Sequence, residues 1–150
     1  LGTDTIVGSA GTDWMDFSAS TLPVTVDLSS TLVVQPVNAN LSLIIDDAIE
    51  GVIGGEGDDH LTGNDLDNML QGGPGDDTLA GGLGDETYAF DTDEPWGHET
   101  VIEKTGEGHD VIDFSATSTL SVVFDLSDTA AQMVNANLTL SVQDGLGGSG

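Results

Sequence analysis

Apolar positions along this chain recur every ninth residue, not at the spacing of a helix face. From Gly54 the sequence divides without a gap into GGEGDDHLT, GNDLDNMLQ, GGPGDDTLA and GGLGDETYA, with an apolar eighth place each time: Leu61, Leu70, Leu79 and Tyr88. The sixth place holds Asp59, Asn68, Asp77 and Glu86, and the preceding nine, IDDAIEGVI, keeps the register with Glu50 and Val52. Side chains of a strand alternate between its faces, so the eighth residue points inward and its two neighbours outward. Glycines at the first, second and fourth places favour a turn in which carbonyl oxygens converge. The pattern predicts six-residue turns joined to three-residue strands. Two nines form one coil of a parallel β-solenoid, with strands stacked about 4.8 Å apart. The fold class is all-β, with little or no helix.

A longer period encloses the first. GTDWMDFSAS at 11–20 returns as GHDVIDFSAT at 108–117, and VNANLSL at 37–43 returns as VNANLTL at 134–140, both at an offset of 97 residues. VTVDLSS and VVFDLSD are offset by 98, so short insertions occur inside the unit. The expected organisation is one solenoid module over residues 1–150: a strand-rich segment at 1–53, the nonapeptide tract at 54–89, and a second strand-rich copy at 90–150. Degenerate nines at 8–16 and 105–113 place Asp13 and Asp110 sixth, and GTDTIV at 2–7 and GHETVI at 97–102 read as the ends of further nines. PVTVDL, LSLII, SVVFDL and LTLSV read as strands. Because the sequence begins and finishes inside the 97-residue unit, its ends are expected to meet neighbouring repeats of the same protein or to associate head to tail.

Charge changes this picture from geometry to chemistry. The chain carries 27 acidic residues and one basic residue, Lys104, for a formal charge of −26. Self-repulsion of that size opposes compaction. Composition excludes nucleic acid as a partner, since no basic patch exists to meet phosphates. No apolar stretch approaches the roughly 20 residues that span a bilayer, so membrane insertion is not expected. Without cysteine, neither disulfides nor thiolate metal sites staple the fold. Aspartates 18 residues apart face each other on one edge of the solenoid, and such a row needs a cation between its members. Ca²⁺ suits it, taking six to eight oxygens from carboxylates and backbone carbonyls at about 2.3–2.6 Å.

GGEGDD and GGPGDD, each followed two places on by an apolar residue, resemble the nonapeptide of the RTX (repeats-in-toxin) calcium-binding family. The resemblance is strong over 54–89 and looser elsewhere. It implies a right-handed parallel β-roll with Ca²⁺ between stacked turns, exported unfolded and folding where calcium is abundant, hence secreted or at the cell surface. It also implies a ligand set. One turn gives carbonyls from its second and fourth places and its sixth side chain. The turn two nines later gives its first and third carbonyls and its sixth side chain. Mapped onto this chain, one site takes Gly55, Gly57 and Asp59 with Gly72, Pro74 and Asp77. On the opposite edge the set is Asn64, Leu66 and Asn68 with Gly81, Leu83 and Glu86. That set departs from the pattern, because Asn68 is neutral, Glu86 is long, and Asn64 and Leu66 replace glycines. A third set pairs Asp46, Ala48 and Glu50 with Gly63, Asp65 and Asn68. Above Gly73 and Gly75 the nine breaks, and Asp91 or Asp93 is the expected partner.

Other chemistries fit poorly. An EF-hand beginning at Asp91 has Trp96 where glycine is needed and Ile102 where glutamate is needed. His60, His98 and His109 share no zinc spacing. Acid pairs such as Asp58–Asp59 follow from the nine and do not call for glycosidase chemistry, and no G-x-S-x-G elbow is present. Trp14 and Trp96 are expected to pack at coil edges. The expectation is a calcium-binding structural module of a large secreted or surface protein, not itself an enzyme. The alternative is an accessory module of an exported enzyme such as a protease, lipase or polysaccharide-modifying enzyme.

Overall fold

The computed structural model describes residues 2–103, 108–123 and 131–143. In chain order its strands are β1 (Thr3–Ile6), β2 (Trp14–Asp16), β3 (Thr25–Asp27), β4 (Gln35–Pro36), β5 (Ser42–Ile45), β6 (Gly51–Ile53) and β7 (His60–Thr62). Then follow β8 (Met69–Gln71), β9 (Thr78–Ala80), β10 (Thr87–Ala89), β11 (Gly97–Ile102), β12 (Val111–Asp113), β13 (Gln132–Met133) and β14 (Leu138–Gln143). There is no helix among the described residues. The fold is an all-β, parallel β-roll type of architecture.

Successive strands of the nonapeptide tract alternate between two sheets. One runs β12-β10-β8-β6-β2; the other runs β13-β14-β11-β9-β7-β3. Gly51 pairs with Met69, Met69 with Thr87 and His60 with Thr78, so the coil is 18 residues, as two nines require. Beyond the tract the spacing changes: Trp14 pairs with Gly51, Thr25 with His60, Thr78 with Thr100, and Thr87 with Val111. Longer connections still deliver their strands to the same stack.

The registers line up two apolar rows between the sheets. One is Met15, Val52, Leu70, Tyr88 and Ile112; the other is Val26, Leu61, Leu79, Val101 and Val142. Every member except the half-buried Ile112 is buried. Each such side chain contributes about 1.5–3 kcal/mol by leaving water, and the thin core is the sum of these rows. Trp96 is buried: its ring meets Phe90 edge-on at 5.8 Å between centroids. Trp14 is partly exposed and lies flat enough over Gly51 that a Cβ there would strike the indole.

The two strand-rich stretches pair alike. Thr3 sits opposite Ser42 in β1–β5, and His98 sits opposite Thr139, the equivalent of Ser42, in β11–β14. Each parallel pair then carries a short antiparallel strand, Gln35 opposite Leu43 in one and Gln132 opposite Leu140 in the other. Asp16 and Asp113 accept hydrogen bonds from the amides of Ser18 and Ser115 at 2.8 and 2.7 Å. SVVFDL departs from expectation: 121–123 are not strand, and 124–126 lie outside the described residues. Its counterpart β3 gains its pairing from β7, a neighbour that Val122 and Val123 lack among the described residues. Lys104 and residues 105–107 of the second degenerate nine also lie outside them.

Candidate metal centre

The parallel registers stack the sixth places into two rows, because a side chain one residue before each paired stretch keeps its neighbour's height. One row is Asp59, Asp77 and Glu99; the other is Asp13, Glu50, Asn68, Glu86 and Asp110. In the first, Asp59 accepts hydrogen bonds from the amides of Val24 at 2.8 Å and Gly55 at 2.6 Å. Asp77 Oδ1 accepts from the Asp59 amide at 2.8 Å, whereas Asp77 Oδ2 is buried with no hydrogen-bond partner.

Carbonyls close the same gap. A Cβ on Gly75 would lie 2.5 Å from Gly57 O, and one on Gly73 would collide with Gly55 O, so both lower-turn carbonyls face the upper turn. Gly72 O faces back toward Gly54 and the Asp59 carboxylate. Gly55, Gly57, Asp59, Gly72 and Asp77 therefore line one oxygen-rich gap, while Pro74 stands at the exposed tip of the upper turn. These are hard oxygen donors, mixed carboxylate and carbonyl, with an orphaned buried oxygen among them. The set fits Ca²⁺.

Gly73 combines φ of 107° with that contact to Gly55 O. Gly73→Ala should cost about 2 kcal/mol or more from backbone conformation alone and shift calcium-dependent folding to higher calcium. Circular dichroism during a calcium titration reads this directly; an unshifted midpoint would contradict the geometry.

The opposite edge has the carbonyls but different side chains. Asn64 O and Leu66 O face Gly82 and Gly84, whose Cβ atoms would lie 2.5 and 2.6 Å away, and Gly81 O faces Gly63. Leu83 is an exposed tip residue. Asn68, however, is already satisfied. Its Oδ1 accepts the Asn64 amide at 2.7 Å, and its Nδ2 donates to Asn64 Oδ1 at 3.1 Å and Glu50 O at 3.3 Å. Glu86 is the reverse case: 1% exposed, with neither carboxylate oxygen hydrogen-bonded. The third set does not assemble around one gap. Ala48 O faces Gly8, in the turn on the other side, and Asp46 Oδ1 accepts the amides of Gly8 and Ala48.

Glu99, not Asp91 or Asp93, stands above Asp77. Asp91 caps the amide of Asp93, and Asp93 accepts hydrogen bonds from Ser118 and Thr119, which hold its carboxyl below the ordinary range. The clue was GHETVI: read as places four to nine, it puts Glu99 sixth and Val101 eighth. Sequence reasoning also gave the fifth-place acids no role. Asp58 accepts the Asp76 amide at 3.0 Å, and Asp76 accepts that of His98 at 3.0 Å. Asp67 and Asp85 repeat this with Asp85 and His109. These exposed ladders tie coil to coil, and the aspartate at the fifth place of every nine, Asp58, Asp67, Asp76 and Asp85, was their signal.

Burial governs the inner acids. It pushes Asp77 up to about 7, with Asp59 adding repulsion; Glu86 up to about 8, with Asp110 and Glu103 adding to it; and Glu99 up to about 10, with Asp77 next. Burial also raises Asp59, partly offset by the Gly55 and Val24 amides. In a third grouping, oxygens of Glu86, Glu103 and Asp110 lie within 4.8 Å of one another. Residues 4–144 match the family described as peptidase M10 serralysin C terminal. No curated protein matches the chain.

Proposed function

The chain belongs to the peptidase M10 serralysin C-terminal family, a calcium-binding β-roll repeat region, and from that premise we propose that it acts as a calcium-folded structural module of an exported protein. Its ligands on the first edge are the carbonyls of Gly55, Gly57, Gly72 and Pro74 with the carboxylates of Asp59 and Asp77. On the second edge Asn64, Leu66, Asn68, Gly81, Leu83 and Glu86 form a weaker site, since the Asn68 amide already fills the charge-bearing place. The observation that carries this reading is the stacked Asp59–Asp77 pair, with Asp77 Oδ2 buried and unpartnered among converging carbonyls.

In this role the ion does what no side chain of the sequence can. With one basic residue against 27 acids, the turns stack only when a cation neutralises their carboxylates. Binding free energy then becomes folding free energy. The module would stay open where calcium is scarce and fold outside the cell, secreted or at the surface, without catalytic chemistry of its own. The alike pairing of β1–β5 and β11–β14 supports a spacer or stalk that repeats along its parent. The family description supports a second reading, an accessory module of an exported M10-type peptidase.

The experiment is a double-mutant cycle read by calcium calorimetry. Asp59→Ala and Asp77→Ala should be strongly non-additive, with a coupling of about 1–3 kcal/mol. Asp59→Ala with Glu86→Ala, on opposite edges, should add to within about 0.5 kcal/mol. Additivity of Asp59 and Asp77 would mean that they do not share an ion.

A further inference from the structure

The second strand-rich stretch sits on an aromatic connection, and the first presents the same seat open. Between β10 and β11 the connection FDTDEPW runs from Phe90 to Trp96. Phe90 lays its ring 5.6 Å from that of Phe114, and its amide donates to Asp113 O at 2.8 Å. The Thr92 amide donates to Thr117 Oγ1 at 3.0 Å, and Asn135 and Asn137 donate their side-chain amides to Thr92. By the 97-residue offset, Phe114, Thr117, Asn135 and Asn137 correspond to Phe17, Ser20, Asn38 and Asn40. The loops that carry them close alike. The amides of Thr117 and Ser20 donate to Phe114 O and Phe17 O at 2.9 and 2.7 Å, and those of Asn137 and Asn40 to Asn135 Oδ1 and Asn38 Oδ1 at 2.9 Å.

At the open seat lies a cavity of about 410 Å³ lined by Ile6, Trp14, Met15, Phe17, Leu41 and Leu43. Ile6 and Leu41 are half-buried, whereas their counterparts Val101 and Leu138 are buried. The backbone edges agree. β11 pairs with β9 and β12 with β10, but among the described residues β1 pairs only with β5 and β2 only with β6. We propose that this cavity is a socket for the closing coil of another nonapeptide tract. Strands of the β9 and β10 kind would pair with the open edges of β1 and β2, and a Phe90-like ring would fill the pocket against Phe17. An aromatic side chain buries about 150–250 Å², and an apolar patch left open is a docking surface. Fifth-place acids fit as well. Asp76 and Asp85 accept the amides of His98 and His109, whose counterparts here are Thr3 and Thr12. One contact is not repeated, because Leu22 replaces Thr119, a hydroxyl donor to Asp93. Phe90 and Trp96 are buried in their own unit, so the occupant is a neighbouring unit of the parent and not a second folded copy. The assignment rests on the reading of the chain as a repeating spacer, and it specifies which faces of two units meet.

The test is the full chain with its own residues 51–96 placed ahead of Gly2, which matches Gly97. In calcium, hydrogen exchange at the amides of Thr5 and Trp14 should slow at least about tenfold relative to the unextended chain. Their counterparts, Thr100 and Val111, donate to Asp77 O and Glu86 O at 2.8 Å. Phe90→Ala in the added segment alone should remove most of that gain. If the extended chain fails to fold, a peptide of residues 87–96 carrying Trp96→Phe serves instead. Added to the unextended chain at millimolar concentration, it should shield Trp14, the exposed one of the two tryptophans, from acrylamide quenching, and its Phe90→Ala form should not. Exchange at Thr5 and Trp14 unchanged by the extension, or equal shielding by the two peptides, would overturn the socket. Slowing that appears in the unextended chain as its concentration rises would put a second copy there and overturn it too. Calcium coupling is judged separately, by the strand signature of the unextended chain with and without the metal.

Discussion

Stripped of calcium at neutral pH, the chain should lose its strand signature in circular dichroism and expand, and millimolar calcium should restore both. The loss is expected to be complete, because the core cannot resist the charge. Its apolar rows are two side chains wide, and each buried member contributes about 1.5–3 kcal/mol before the entropy of ordering its turn is subtracted. Against them stand 27 acids, and salt screens only beyond about 8 Å, farther than the spacing of stacked coils of about 4.8 Å. A ligand that binds only the folded chain shifts the equilibrium by mass action, so the folding midpoint should move with calcium concentration. A metal-free chain with undiminished strand content at neutral pH would refute the coupling.

Protons should substitute for the metal in part, which makes the metal-free chain most stable in acid. Asp77 sits at about 7 against an ordinary 3.8, and Glu86 at about 8 against 4.5, both raised first by burial. The folded state thus holds these protons more tightly than the open chain. Their contribution is fully present below the ordinary carboxylate values and lost as the pH rises through about 7 and about 8. Thermal melts of the calcium-stripped chain should show a melting temperature that falls from acid toward neutral pH, where the transition disappears. Calcium affinity should run the opposite way, rising with pH as ligands deprotonate. A melting temperature of the stripped chain that climbs between pH 5 and pH 8 would contradict the buried environment of these two acids.

Particular residues show how legible the fold and site were. Leu61, Leu70, Leu79 and Tyr88 are all fully buried, as their eighth places required. Asp59 and Asp77 meet because 18 residues separate them. Asn68 was suspect as a neutral substitute, but its sealing by Asn64 and Glu50 depends on rotamers that spacing does not specify. Glu99 was legible in GHETVI and was passed over, since FDTDEPW hides the register just before it. Glu103 was not legible, because no period relates it to Glu86.

Where repeat units have equal length, sequence alone determined the pairing: a constant nine admits one register, and the apolar eighth place would turn outward in any other. That logic sufficed for the coils from Gly51 to Ala89, the core-row stretches Val52–Leu70–Tyr88 and Leu61–Leu79, and the meeting of Asp59 with Asp77. Tertiary structure alone decided how the unequal connections rejoin the stack. Trp14 reaches Gly51 and Gly97 reaches Leu138 because an open strand edge and an unfilled core row await them, whatever the loop length between. The same docking carries Glu103 across to Glu86 and Asp110, since a side chain beyond a strand's end is placed by the neighbours it packs against and not by its distance along the chain.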